Sequence, residues 1–202
     1  MKKFVFAITG ASGPIIGIRV LKELIRTAEV YLVVSRQSFQ IMLDESNIDW
    51  VGGTAKDIQN KIRKFYRSKR IYYYDEADMY APIASGSFQH DGMCVVPCSM
   101  KSLSAIAHGY AHTLFERAAD VTLKEGRRLV ISPRETPFSA IHLENMLKLA
   151  QLGVKIVPPV IGFYHDPGDM EHIINFISGK ILDAMGVEHN LYKRWTSRRP
   201  ST

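Results

Sequence analysis

Ser99, Lys101 and Ser102 put two hydroxyls and an ammonium into one short run, Pro97-Cys98-Ser99-Met100-Lys101-Ser102. They follow Gly92-Met93-Cys94-Val95-Val96, an apolar segment of strand length that Pro97 is expected to stop. Serines opening a helix at such a place present free N–H groups and a partial positive charge, a chemistry that suits phosphate. Ser99 and Ser102 serve equally well as plain helix caps, and both readings stand at this point. A second place of the same kind is Gly10-Ala11-Ser12-Gly13, between the apolar run Lys3–Thr9 and an amphipathic run from Ile15 to Ile25, with Pro14 suited to a first helical turn. The glycines let backbone approach a ligand, although the spacing is not G-x-G-x-x-G and a capping role for Ser12 explains it too. Ser35 ends the apolar run Glu29–Val34, and Arg134 and Glu135 follow Leu129-Val130-Ile131 on a loop bounded by Pro133 and Pro137. Two prolines stiffen that loop, which predicts a positioned charge pair.

These residues share one feature: each stands just after a predicted strand. Parallel strands joined by right-handed crossovers bring such ends side by side, so Gly10, Ser12, Ser35, Ser99 and Arg134 are expected to face one crevice. The intervening pattern supplies the crossovers. Helices are predicted from Gln37 to Glu45, Ala55 to Phe65, His142 to Leu152 and Met170 to Met185, with further strands at Ile71–Tyr74 and Val154–Val157. Glu45 reads either as a surface carboxylate or as an acid turned into the crevice, and Lys180 by default as solvent-exposed. Ala84-Ser85-Gly86-Ser87 is a small-residue loop, open to a simple turn or to close approach by a ligand or a neighbouring subunit. The expected architecture is a three-layer α/β domain with a parallel sheet over residues 1–188, and residues 189–202 form a polar tail with Trp195 as its large apolar anchor.

With 202 residues and 46% apolar content the chain can bury one good-sized core. The net charge of +6 is distributed in separate groups, such as Lys61–Arg70 and Arg194–Arg199, rather than in one aromatic-interleaved stripe, so no nucleic-acid partner is expected. Apolar runs are too short for a bilayer, and the opening residues lack a secretory pattern, so the expected setting is soluble and cytoplasmic, without membrane association. Cys94 and Cys98 make neither a disulfide framework nor a zinc site, and are expected to be buried thiols; no metal is expected.

The chain resembles the UbiX flavin prenyltransferase family through Gly10-Ala11-Ser12-Gly13, Ser35, Ser85-Gly86-Ser87-Phe88, Pro97-Cys98-Ser99-Met100-Lys101-Ser102-Leu103, Arg117-Ala118-Ala119-Asp120-Val121, Leu123-Lys124-Glu125, Arg134-Glu135-Thr136-Pro137, Phe163-Tyr164 and Arg194-Trp195. That resemblance implies a flavodoxin-like, Rossmann-like homo-oligomer, a dodecamer with FMN at subunit interfaces. It implies transfer of the dimethylallyl group of dimethylallyl phosphate to N5 and C6 of reduced FMN, the prenylated FMN then serving UbiD-type decarboxylases. By the same resemblance Gly10, Ala11, Ser12, Ser35, Ser99, Met100, Lys101, Ser102 and Arg134 bind FMN. Lys124, Arg134, Glu135, Tyr164 and Lys180 handle the donor phosphate, and Glu135, Ser12, Glu45 and Lys124 take the catalytic roles. Lys180 stands where many members carry Arg, and Ser102 where Thr is usual. Two other readings compete: an FMN-dependent cysteine decarboxylase, against which the absence of a His in the first two helices counts, and a flavin carrier.

Overall fold

A computed structural model describes residues 1–163 and 168–194. Six parallel strands form one sheet in the order β3-β2-β1-β4-β5-β6, with β1 at Lys2–Ile8, β2 at Ala28–Val34, β3 at Ile71–Tyr74, β4 at Gly92–Cys98, β5 at Leu129–Pro133 and β6 at Lys155–Ile156. Helices α1 (Pro14–Thr27), α2 (Arg36–Ser46), α3 (Ala55–Tyr66), α4 (Met100–Ala107), α5 (Leu114–Lys124), α6 (Ala140–Gln151) and α7 (Met170–Met185) connect or follow them. The expected three-layer α/β domain is present, and its strand order is the Rossmann-like one.

Each central strand is apolar on both sides because each side is covered. Along β1, Phe4, Phe6 and Ile8 pack into a core with α1, α3 and α7, while Val5 and Ala7 pack into a second core with α4 and α5. This alternation makes a strand of uninterrupted hydrophobes the middle of a sandwich.

Two boundaries differ from the sequence reading. β4 continues through Pro97 to Cys98, with a shift of register against β5 between Val95 and Cys98. Pro97 lacks an N–H for the ladder, but its carbonyl is held by Thr9, so the chain stays extended. The last strand is only two residues long because β6 lies at the sheet edge, paired on one side.

Among the described residues no helix is long and apolar enough to cross a membrane. Beyond α7 the chain folds back on that helix. The Asp183 carboxylate receives His189 Nε2 at 3.2 Å, Arg194 at 2.7 Å and the Tyr192 hydroxyl. Trp195, the expected tail anchor, lies outside the described residues.

Candidate functional site

The C-terminal ends of four adjacent strands are tied together by a few hydrogen bonds. Thr9, directly after β1, donates its hydroxyl to the Pro97 carbonyl at 2.9 Å, and the same oxygen accepts the Ser99 N–H at 2.9 Å. The Ser35 N–H reaches the Ile8 carbonyl at 2.9 Å, and the Arg134 N–H reaches the Cys98 carbonyl at 3.2 Å. Thr9 was not singled out from sequence, yet a polar residue closing an apolar strand and 1% exposed carries the signal.

A crevice of about 330 Å³ opens between these ends, where the strand order reverses between β1 and β4. Gly10, Ser35, Ser99, Lys101 and Ser102 line it together, as the strand-end argument predicts. Arg36, Glu76, Thr113 and Glu116 line it as well and were not foreseen. Thr113 and Glu116 are there because the start of α5 reaches the crevice, where buried Glu116 accepts the His112 and Thr113 N–H groups at 2.9 and 2.8 Å, while Arg36 opens α2 and Glu76 follows β3.

Ser99 is the cap of α4: its hydroxyl accepts the Ser102 N–H at 3.2 Å and lies 2.9 Å from the Ser102 hydroxyl. Cap and anion seat prove compatible, because the first-turn N–H groups of Met100 and Lys101 have no intrahelical partner. In the glycine turn one backbone donor already has a partner within the chain. Gly13 caps α1 in the left-handed region at φ 86°, a conformation suited to glycine, and its N–H goes to Glu45 Oε2 at 2.8 Å. Of the two readings of Glu45, the surface carboxylate is the one realised: the residue is exposed and does not line the crevice, although its carboxylate holds the Gly13 N–H, and Ser12 is not the cap. Ala11 is buried, with its N–H on the Thr9 carbonyl at 2.7 Å. The carboxylate therefore answers the positive end of α1.

The expected Arg134–Glu135 charge pair is not formed. Glu135 Oε1 accepts the Thr136 N–H at 3.0 Å, while Arg134 Nε is buried with no partner. An unanswered buried donor costs about 1–3 kcal/mol, and a ligand acceptor removes that cost. With the free first turn of α4, this orphan fits an anionic group such as FMN.

Lys124 stands apart. It ends α5 beside the Gly86 loop and just before Arg127, whose guanidinium holds the Phe88 and Gly86 carbonyls, so it lies at the N-terminal edge of the sheet. The seven residues of β4 separate that edge from Ser99 by about 20 Å. Lys180 lines another hollow, a groove of about 850 Å³ between α7 and residues 155–163, shared with Phe163 and Asp183. One protomer thus does not bring Lys124 into the crevice, and Arg134 and Ser12, expected to face it, are not among the crevice-lining residues, nor are Ala11, Glu45, Met100, Glu135 and Lys180. Tyr164 lies outside the described residues.

Cys94 and Cys98 are free, buried thiols, and burial pushes the Cys98 thiol up to about 12. Neither supplies a thiolate near neutral pH.

The fold and crevice define the class: a doubly wound α/β domain with a polar crevice at its topological switch point. The Flavoprotein family pattern matches residues 1–182. The flavin prenyltransferase UbiX of Methanocaldococcus jannaschii is 46% identical over 193 residues, covering 96% of this chain and 98% of that protein. The crystal structure of a dodecameric FMN-dependent UbiX-like decarboxylase from Escherichia coli O157:H7 superposes with a TM-score of 0.86 at 40% identity, covering 96% of this chain and all of that one. AnUbiX (PadA1), in complex with FMN and dimethylallyl pyrophosphate, superposes with a TM-score of 0.87 at 39% identity, covering 98% and 99% of the two chains. The chain belongs to the UbiX-type flavin prenyltransferase family.

Proposed function

We propose that this protein joins the dimethylallyl group of an allylic phosphate to N5 and C6 of reduced FMN. The observation that carries the reading is the convergence of Gly10, Ser35, Ser99, Lys101 and Ser102 on one switch-point crevice, beside an orphaned Arg134 Nε. The relatives that share the fold over nearly the whole chain are named for this transfer. Bound reduced FMN supplies the nucleophilic positions.

The residues of the chain divide into three tasks. Ser99, Ser102, Lys101, Arg134 and the first-turn N–H groups of α4 hold the flavin phosphate, with Gly10, Ala11, Ser12, Ser35 and Met100 as the adjoining wall. Arg134, Lys124, Lys180 and Tyr164 hold the donor phosphate. As its C–O bond breaks, negative charge grows on the departing phosphate, so cations there stabilise the transition state more than the ground state. Glu135 accepts the proton that must leave C6 on ring closure, and Glu45 and Ser12 act close to N5. Holding donor and acceptor face to face supplies much of the acceleration.

The reading requires several copies of the chain. Lys124 reaches a crevice only when its N-terminal sheet edge meets the C-terminal edge of another copy. Leu143 and Leu147, one turn apart on α6, are 53% and 60% exposed, an apolar stripe suited to burial in such an assembly. We take the assembly to be the dodecamer named for the Escherichia coli relative, the active domain to span residues 1–188 with residues 189–202 as its tail, and the setting to be cytoplasmic. The product is proposed to pass to a UbiD-type decarboxylase.

The test is anaerobic incubation of the purified protein with reduced FMN and dimethylallyl phosphate. A flavin heavier by one C5 unit, with release of phosphate, is expected. Recovery of unaltered FMN from a protein that binds it would overturn the reading in favour of a carrier.

A further inference from the structure

We propose that Glu125 and the bare backbone at Gly86 form a seat that positions Lys124; the proposal rests on the assignment of Lys124 to the donor phosphate. Lys124 is the last residue of α5, and its ammonium is paired with the neighbouring Glu125 carboxylate. The pair lies directly over Gly86, where a Cβ would stand 2.8 Å from Lys124 Nζ and would also overlap the Glu125 carboxylate. A side chain here would have to push the ends of both charged residues aside, so the bare glycine lets the ion pair rest on the loop at this height.

The loop beneath is itself fixed. Arg127 forks onto the Phe88 and Gly86 carbonyls, each at 2.8 Å, and Arg117 Nε donates to the Ala84 carbonyl at 3.1 Å. Arg117 is in turn held by Asp120 at 2.7 Å. The Ser85 and Ser87 hydroxyls, 2.9 Å apart, close the turn. The hydrogen bond and charge of Lys124 hold the Glu125 carboxyl below its ordinary range, so the partner is an anion near neutral pH.

A lysine ammonium rides on a flexible four-carbon stem, and its usefulness to a departing phosphate depends on where that stem is held. Exposed ion pairs contribute little to stability, so the substance of this seat is placement rather than folding. Glu125 is accordingly a positioning residue, acting through Lys124.

The test is a double-substitution cycle on the full-length enzyme with FMN bound, with transfer rates read from product mass over incubations long enough to measure the slowest variant. Glu125→Gln is expected to lower kcat/KM about tenfold in the native background and by less than about twofold in a Lys124→Ala background. Gly86→Ala, whose methyl displaces the ends of two flexible side chains, is expected to follow the same pattern. FMN content and melting temperature should match the parent protein in both variants. An equal fall in both backgrounds, or no fall from Glu125→Gln while Lys124→Ala is impaired, overturns the seat alone. Full activity of Lys124→Ala overturns the assignment of that lysine and the seat with it.

Discussion

The Glu45 carboxylate accepts the Gly13 backbone N–H at 2.8 Å, joining the end of α2 to the turn that opens α1. A negative charge at the start of a helix is favourable, and this one occupies the donor that a bound phosphate would otherwise take. It sets the two helix starts apart: α1 meets an acid of the same chain, while α4 is capped by Ser99. Glu45→Gln keeps an acceptor for Gly13 but removes the charge, so stability should fall by only about 0.5 kcal/mol. FMN should still co-purify, and transfer should slow about tenfold if the acid serves proton movement close to N5. Flavin absorbance and product mass check both parts; an unchanged rate would leave Glu45 with a purely structural task.

Arg134→Met replaces an orphaned donor with an apolar chain of similar length. Removing a buried unpaired group is expected to leave the apoprotein as stable as the parent, or more so, while FMN retention drops by at least about tenfold. Thermal melting of flavin-free protein and equilibrium flavin titration measure the two effects. A variant that loses stability and keeps its flavin would show that Arg134 serves the fold.

Separation of Lys124 from Glu135 across the sheet makes a complementation experiment possible. Each of Lys124→Ala and Glu135→Gln is expected to slow transfer about a hundredfold by itself. If a site takes these residues from different copies, random co-assembly of the two variants leaves about a quarter of sites intact, and activity should recover to that order. Mixtures unfolded and refolded together, then assayed by product mass, provide the measurement; mixtures no more active than the separate variants would count against a shared site.

Asp183 anchors the segment that returns over α7. Burial raises its pKa, but hydrogen bonds from Arg194 and Tyr192 and the nearby positive charge outweigh this and hold it below the usual carboxylate range. A depressed folded pKa means that the stabilisation is present above the unfolded value near pH 4 and disappears as pH falls through the folded value. Asp183→Asn should therefore lower the melting temperature at pH 7 by about 3 °C, corresponding to about 1 kcal/mol. The difference from the parent should close once the pH has fallen through the folded value. A gap that persists unchanged into acid would assign the effect to packing instead of charge.

The alternating core, the parallel sheet and the strand-end positions of Gly10, Ser35, Ser99 and Arg134 were legible in the amino-acid order. Apolar runs of strand length and helical spacing are local signals, and chain connectivity then forces parallel strand ends to meet. The residue types at those ends also carried the resemblance to the flavin prenyltransferases. What the order alone did not decide was which donor each group meets. That Glu45 takes the Gly13 N–H, that Arg134 turns inward while Glu135 bonds to Thr136, and that Thr9 pins β1 to β4 depend on contacts between residues distant in the chain or on side-chain directions that spacing does not encode. The placement of Lys124 at the far edge of the sheet likewise follows from the direction of α5, which runs opposite to the strands and carries its last residue away from the crevice that its first turn helps to line.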